Sequence, residues 1–344
     1  MCDIDDVKET SFIPHDSDIY ENIIFVPKKM EYLWRSKRRI NAYTGYLHQR
    51  FGCRIQKLSV NAGFTCPNRD GSLAIGGCIF CDNSTFSPSY TSAQKSITQQ
   101  LIEGMEFHAI RYKTNRYFAY FQSFSNTYAP LERLKALFEE ALSVENIVGI
   151  VIGTRPDCID EEKLNYLSEL AKRYYVLIEY GIETCYDKTL KTLNRGHDFA
   201  TSKNAVFQTD EKGIYCGAHF MFGFLTETTD EMLDMVTQIN ELPLTTIKLH
   251  QLQIIKGTPL AQTFYQYPEK FSYFPDMESY ISFIITFLEH LNPNIMIERI
   301  ASEMKPEIVV YPQWKKMRYD QVLQAVEKEM ERRDTWQGRL FYSH

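Results

Sequence analysis

The stretch KLSVNAGFTCPNRDGSLAIGGCIFCDN occupies residues 57–83 and joins a short apolar run to a loop that contains three cysteines. These are Cys66, Cys78 and Cys81, and their spacing is C-x11-C-x2-C. The loop leaves the C-terminal end of the predicted strand, where α/β proteins bind their ligands. Its glycines let the backbone wrap closely around a bulky group. The sequence therefore predicts three thiolates at one mouth of a sheet.

Apolar strand-like runs alternate with helical segments along the chain that follows. The six predicted strands are residues 57–60, 117–122, 147–153, 175–182, 215–224 and 247–255. The predicted helices lie near residues 93–112, 131–143, 160–173, 186–194 and 229–241. Each helix is long enough for a crossover between parallel strands. The alternation predicts an α/β fold with a parallel sheet, either doubly wound or an incomplete version of the eight-unit barrel.

The C-terminal third continues with less regular elements. It contains a predicted helix at 276–290, a strand at 295–300 and a charged helix at 318–333. There is no linker-like tract or internal repeat that would separate a second domain. We therefore expect three parts, which are an N-terminal arm at 1–56, a core at 57–260 and an extension at 261–344 that packs on the core.

The composition is that of an ordinary globular protein, with 344 residues, 44% hydrophobic and 24% charged. No run approaches the roughly 18 to 20 apolar residues that a membrane span needs, and the N-terminus is acidic, unlike a signal peptide. The eight cysteines are too sparse for a secreted disulfide scaffold. These features predict a soluble cytoplasmic protein with reduced thiols and no membrane partner.

Charge is distributed unevenly near the N-terminus. Residues 1–27 carry seven acids and one lysine, whereas residues 28–57 carry nine basic side chains and one acid. Five aromatic residues are interleaved with these cations, namely Tyr32, Trp34, Tyr43, Tyr46 and Phe51. Such a mixture suits a nucleic-acid backbone with bases stacked on rings. The alternative is an amphipathic helix that packs its aromatic rings on the body of the protein.

The spacing of the cysteines is compatible with two metal sites. Three thiolates without an obvious fourth partner would leave one iron of a four-iron four-sulfur cluster open to a ligand. Zinc also favours a C-x2-C pair, and Cys53 or a histidine could complete its four ligands. A purely structural set of buried thiols is disfavoured, because the residues between the cysteines are mostly polar or glycine. From the spacing alone, both metals stay open.

Six motifs between residues 62 and 338 carry a resemblance to a known family. They are AGFTCPNRDGSLAIGGCIFC (62–81), FQSFSNTYAP (121–130), GTRPDC (153–158), NRGHDF (194–199), LHQLQIIKGTPLA (249–261) and TWQG (335–338). Together they resemble the YhcC-type radical S-adenosylmethionine proteins and, more distantly, the radical domain of the Elongator catalytic subunit. The resemblance implies a partial (β/α)6 barrel, a 4Fe-4S cluster on Cys66, Cys78 and Cys81, and reductive cleavage of S-adenosyl-L-methionine to a 5′-deoxyadenosyl radical.

The resemblance also implies positions for the ligand's charged and hydroxyl groups. Arg195 stands where related enzymes bind the methionine carboxylate, although it could instead be a surface residue that caps the next helix. Glu183 and His219 stand where relatives hold the ribose hydroxyls. A lone histidine on a strand is about as often a satisfied core residue.

Five further residues at the predicted strand ends and in the cysteine loop are candidates. Ser125 and Asn126 replace the usual glycine-rich turn and could meet the ligand's amino group. Phe80 and Ile254 are candidates for packing against the adenine. Cys158 could donate a hydrogen atom or act as a nucleophile, and the alternative is a half-buried loop cysteine.

The chain departs from the family pattern at residues 222–228 and 301–306, where the loop over the ligand and the choice of substrate could differ. We expect an enzyme that acts on an unidentified substrate, with RNA as the candidate suggested by the arm. A reductant protein such as a flavodoxin or ferredoxin is expected as an electron donor. The rival hypothesis is a zinc-stapled module that binds nucleic acid or protein without catalysis.

Overall fold

A computed structural model describes residues 32–82, 88–109, 112–314 and 318–342. Its main sheet has seven parallel strands in the order β1-β2-β3-β4-β5-β6-β8. The strands are β1 Gln56–Val60, β2 Tyr117–Phe121, β3 Ile147–Thr154, β4 Tyr175–Glu183, β5 Tyr215–Phe222, β6 Thr246–Gln251 and β8 Met296–Arg299. Two short strands, β7 Ile254–Ile255 and β9 Val309–Tyr311, form a separate antiparallel pair.

Helices cover the outer face of this sheet and connect its strands. Within the described ranges they are α1 Tyr43–Phe51, α2 Ile97–Ala109, α3 Leu131–Ser143, α4 Glu161–Ala171, α5 Asp187–Thr192, α6 Phe199–Glu211, α7 Thr229–Asn240, α8 Pro259–Gln266, α9 Met277–His290 and α10 Tyr319–Arg332. The strands read as nearly continuous apolar runs because both faces of the sheet are covered.

The sheet curls until its two edges approach each other. Lys57 on β1 and Glu298 on β8 belong to the first and last strands of the sheet order, yet their Nζ and Oε1 atoms are 2.6 Å apart. This contact requires an open barrel and is incompatible with a flat, doubly wound sheet. The prediction of a partial barrel built from six strand-helix units is therefore confirmed, and β8 adds a seventh strand to it.

The N-terminal end of the barrel is covered by α1. Tyr43 on this helix is buried, and its hydroxyl donates to that of Tyr175, the first residue of β4, at 2.9 Å. Phe118, the second residue of β2, stacks on Tyr175 with ring centroids 4.7 Å apart. Because this end is filled by aromatic side chains, a ligand has to enter from the opposite, C-terminal end of the strands.

Two sequence predictions of secondary structure need correction. The run 247–255 was expected to be one strand, but it divides between β6 and β7, because the backbone leaves the main sheet after Gln251. The strand predicted at 295–300 is present as β8 and pairs with β6 in the main sheet, so this prediction is confirmed. Helix α6 was not predicted at all, although Asp198 marks its start by accepting a hydrogen bond from the Thr201 amide.

Candidate functional site

A cavity of about 450 Å³ lies inside the barrel and extends from the cysteine loop toward the side chains of Lys57 and Glu298. Eight of the eleven predicted site residues line it, and these are Cys66, Cys78, Cys81, Phe80, Ser125, Glu183, Arg195 and His219. They come from the cysteine loop, from the segments that follow β2 and α5, from the end of β4 and from within β5. The parallel topology brings them together because the C-terminal ends of all these strands meet at one rim.

The three cysteine thiols share this cavity, and two of them receive hydrogen bonds. Ser125 Oγ donates to Cys66 Sγ at 3.2 Å. Cys78 Sγ accepts from Asn68 Nδ2 and from Arg195 Nη1, each at 3.2 Å. Burial raises the pKa of Cys66 and raises that of Cys81 to about 12. A metal that binds here must therefore displace protons from the thiols.

The donor set fits an iron-sulfur cluster. No group of three or more His, Cys, Asp or Glu side chains in the described ranges is arranged to hold a metal ion. In a four-iron cluster, each thiolate binds a different iron, so the ligands surround a bulky group instead of converging on one ion. Three thiols that line one cavity, with N–H and O–H donors directed at their sulfurs, meet this requirement.

Hydrogen bonds to backbone carbonyls attach the cysteine loop to the turn that contains Arg195. The Ile79 amide donates to the carbonyl of Leu193 at 3.2 Å, and Asn194 Nδ2 donates to the carbonyl of Gly77 at 2.9 Å. Asn68 Nδ2 in turn donates to the carbonyl of Asn194 at 2.8 Å. These contacts hold two segments that are more than 110 residues apart in sequence as one unit.

Arg195 points into the cavity and is only 6% exposed. Besides its contact with Cys78, its Nη2 donates to the carbonyl of Gly181 and lies 3.9 Å from Glu183 Oε1. Its Nε is buried without a partner. The alternative of a surface residue that caps the next helix does not describe this geometry, since Asp198 provides that cap.

Glu183 ends β4, and His219 lies within the neighbouring strand β5. Glu183 adopts a φ of 73°, in the left-handed region that a residue other than glycine rarely occupies. This backbone turn at the end of β4 coincides with a register shift against β5, and such outliers cluster at functional sites. His219 Nε2 lies 3.2 Å from Glu179 Oε2, so a buried carboxylate orients the ring.

The other three predicted residues lie outside the cavity wall. Asn126 is fully buried, and its Nδ2 donates to the carbonyls of Phe121 and Gly153, which ties the ends of β2 and β3 together. Ile254 packs in a satellite hydrophobic cluster, while its neighbour Ile255 lines the cavity. Cys158 is buried in a one-turn 3-10 helix, and burial raises the pKa of its thiol to about 12. That pKa disfavours a thiolate nucleophile at neutral pH.

A buried ionic network that sequence patterns do not predict lies on the cavity wall. Glu179 Oε1 and Oε2 lie 2.6 Å from Lys57 Nζ and Lys248 Nζ respectively, and Glu298 contacts both lysines. Lys248 also donates to the Tyr120 hydroxyl at 3.0 Å. Although burial opposes it, the two lysines hold the pKa of Glu179 well below its ordinary value. The interior beyond the cysteines is therefore polar and charged.

Arg155, within the GTRPDC motif, was also missed. It lines the cavity, and its Nε and Nη2 donate to both carboxylate oxygens of Asp157 at 2.9 and 2.7 Å. Its Nη2 additionally donates to the carbonyl of Arg195, while Nη1 is buried without a partner. The arginine was identifiable in the sequence from its position directly after β3.

The segment 301–306, one of the departures from the family pattern, lies at the side of the cavity. Ser302, Glu303 and Met304 line both the main cavity and an adjoining one of about 310 Å³, which also includes Trp314. In the other departure, at 222–228, Glu227 is buried and accepts from the Thr184 hydroxyl at 2.6 Å. The departure at 301–306 therefore shapes part of the wall of both cavities.

The described part of the basic arm packs against the body of the protein. Arg38 pairs with Glu327 at 2.7 Å, and Arg39 pairs with Asp334 at 3.3 Å. Lys57 is inside the barrel, and the ring of Tyr43 is buried. Lys28, Lys29, Glu31 and the acidic residues 1–27 lie outside the described residues. Within the described ranges, none of the helices has the length and apolar character needed to cross a membrane.

Comparison with known proteins gives consistent matches. Residues 63–239 match the radical SAM superfamily, and residues 244–332 match the radical SAM C-terminal domain. YtqA of Bacillus subtilis is 34% identical over 89% of this chain and 94% of its own length, and YhcC of Escherichia coli K12 is 32% identical over 81% and 88%. The structure of Elp3 from Methanocaldococcus infernus superposes with a TM-score of 0.61 at 16% identity, over 82% of this chain and 64% of that chain.

Proposed function

This chain belongs to the radical SAM superfamily, and on that premise we propose that it cleaves S-adenosylmethionine reductively at a 4Fe-4S cluster held by Cys66, Cys78 and Cys81. One observation carries the proposal: three thiols and a buried arginine, Arg195, line the same cavity at the C-terminal mouth of a parallel barrel. When bound, the cluster and S-adenosylmethionine supply the one-electron cleavage that produces a 5′-deoxyadenosyl radical.

Different residues that line the cavity would then bind different parts of S-adenosylmethionine. Arg195 has a buried guanidinium with an unpartnered Nε, which suits the methionine carboxylate. Glu183 and His219 can accept from the ribose hydroxyls, and Ser125 from the amino group. Phe80 lies near Phe224, with ring centroids 6.3 Å apart, and offers an apolar surface to the adenine.

Arg195 has one donor left for a ligand after two of its nitrogens have bound acceptors in the protein. Its Nη1 donates to Cys78 Sγ, and its Nη2 donates to the carbonyl of Gly181. The Nε atom is the donor that has no partner. A carboxylate that met this atom would gain a charge-assisted bond without breaking the other two, so one guanidinium can serve both the cluster loop and the ligand.

Anaerobic reconstitution tests the proposal directly. The wild type should hold about four irons and four sulfides, and reduction with S-adenosylmethionine should yield 5′-deoxyadenosine. Cys66→Ala, Cys78→Ala and Cys81→Ala should each abolish the cluster. Cys216→Ala is the matched control, because Cys216 is buried on β5 away from the cavity and should leave the iron content unchanged. Stoichiometric zinc without iron would support the binding-module alternative instead.

The polar interior supports a polar substrate, and RNA remains our candidate for it. The described part of the arm uses Arg38 and Arg39 in ion pairs, so an RNA contact through them would have to compete with Glu327 and Asp334. Binding of a transfer RNA mixture should weaken as salt rises, and neutralising Arg35, Arg38 and Arg39 together should flatten that dependence. No binding at low salt would leave the arm with a packing role alone. A flavodoxin or ferredoxin is the expected electron donor.

A further inference from the structure

The hydrogen bonds received by the cysteine sulfurs are unequal. Cys66 Sγ accepts one, from the neutral hydroxyl of Ser125. Cys78 Sγ accepts two, and one of its donors is the charged guanidinium of Arg195. The second donor is the amide of Asn68, a residue in the loop between the cysteines to which the family resemblance gives no role.

Asn68 is held so that its amide direction is set by the fold. The residue is 1% exposed, and its Nδ2 carries two hydrogens. One is donated to Cys78 Sγ at 3.2 Å, and the other to the carbonyl of Asn194 at 2.8 Å. The backbone carbonyl of Asn68 accepts from the Gly77 amide at 2.9 Å, which ties the main chain at Asn68 to the residue immediately before Cys78. Rotation of the side chain away from the sulfur would break the second bond in a buried site, which is costly.

Donors directed at a ligand sulfur affect the two oxidation states of a cluster differently. The reduced cluster carries one more negative charge, and part of that charge lies on the sulfurs. Hydrogen bonds to those sulfurs stabilise the reduced state more than the oxidised one and so raise the reduction potential. Burial strengthens the effect, because a fixed dipole acts more strongly where water is excluded.

We infer that Asn68 is a positioning residue that raises the reduction potential of the cluster through its hydrogen bond to Cys78 Sγ, in concert with Arg195. The inference rests on the proposed function, since it assumes that the cluster is present. It extends that proposal by giving the buried amide of Asn68 an effect on the reduction potential. It also implies that hydrogen bonds stabilise the Cys78 thiolate more than the Cys66 thiolate. One electron from an external reductant reduces the cluster, and no bond to Asn68 forms or breaks.

The test is the midpoint potential of the reconstituted cluster, measured without S-adenosylmethionine by a dithionite titration followed by electron paramagnetic resonance. Asn68→Ala should give a more negative potential than the wild type, and Arg195→Ala should do the same. Asn194→Ala is the matched control. It removes two side-chain hydrogen bonds to the same loop, at Ile75 and Gly77, but none to a sulfur. It should lower stability and leave the potential unchanged.

A wild-type potential in Asn68→Ala with full iron content would overturn the inference, as would an equal shift in Asn194→Ala. If Asn68→Ala does not hold a cluster, Ser125→Ala decides the matter, because it removes the hydroxyl donor to Cys66 and should also make the potential more negative. If Ser125→Ala leaves the potential unchanged, the inference that donors to the cysteine sulfurs raise the potential is overturned. Failure of the wild type itself to bind iron would instead overturn the proposed function, and this is seen in the metal analysis before any potential is measured.

Discussion

Glu179 is the centre of the ionic network inside the barrel, and its neutralisation tests whether that network stabilises the fold. The residue is 1% exposed, and its carboxylate contacts Lys57, Lys248 and His219. The substitution Glu179→Gln preserves volume and removes the negative charge. Two lysines would then share the single carboxylate of Glu298, at 2.6 and 3.1 Å.

The size of the effect follows from that arrangement. Removing one partner of a buried ion pair costs about 3 to 5 kcal/mol, because a charge is left buried without compensation. At roughly 2.1 cal/mol/K per residue, a chain of 344 residues has an unfolding entropy of about 0.7 kcal/mol/K. The expected decrease in Tm is therefore roughly 4 to 7 °C.

Thermal unfolding followed by circular dichroism, with urea titration as a second probe, measures this change. Glu169→Gln is the matched control, because it removes the same charge from an exposed pair with Lys172 and should cost less than about 1 kcal/mol. The double variant Glu179→Gln/Lys248→Met should lose less stability than Glu179→Gln alone, since it also removes the uncompensated cation. A Tm of Glu179→Gln within 1 °C or so of wild type would refute the view that this network carries a large share of stability.

Three further outcomes are expected. Gly149→Ala should destabilise the protein by at least about 1 to 3 kcal/mol in urea titration, because the added Cβ would lie 2.2 Å from the Tyr175 carbonyl oxygen, and wild-type stability would contradict this. Burial holds the pKa of His250 well below its ordinary value, so below about pH 6.5 the unfolded chain binds more protons than the folded one. The free energy of unfolding should therefore fall as pH drops below about 6.5, and His250→Gln should make this dependence on pH less steep. Arg195→Ala should weaken S-adenosylmethionine binding by about 10- to 150-fold in calorimetric titration of the cluster-loaded protein, Arg195→Lys should recover part of it, and an unchanged Kd would remove the residue from the ligand site.

The cysteine loop was predictable because its signal is local. A strand followed at once by closely spaced cysteines and glycines places the thiols at the end of that strand whatever the rest of the topology is. Ser125, Glu183, Arg195 and His219 were placed at the same mouth by motif resemblance, and parallel topology then brings strand ends together. The same reasoning misplaced Asn126, because adjacent residues in a tight turn point in different directions and only Ser125 faces the cavity.

Asn68 and Arg155 lie within two of the family motifs, but sequence patterns do not predict that they contact the site. Their importance depends on partners far along the chain, since Asn68 reaches Asn194 and Arg155 reaches the carbonyl of Arg195. A motif shows which residues are near a loop. It does not show which side-chain donors are still available to the site once the hydrogen bonds to the backbone have formed.

The ionic network is the clearest case of a feature outside the reach of sequence patterns. Lys57 and Glu298 are 241 residues apart and pair only because the first and seventh strands of the curled sheet approach each other. In a flat sheet of the same strand order they would lie at opposite edges, and both charges would be expected in solvent. Strand alternation indicates that a side chain faces inward, but pairing it with a partner requires the closure of the barrel. Charged side chains inside a barrel can therefore be assigned to ion pairs only after the curvature of its sheet is known. In this chain, the contact between Lys57 and Glu298 is the observation that establishes the curvature.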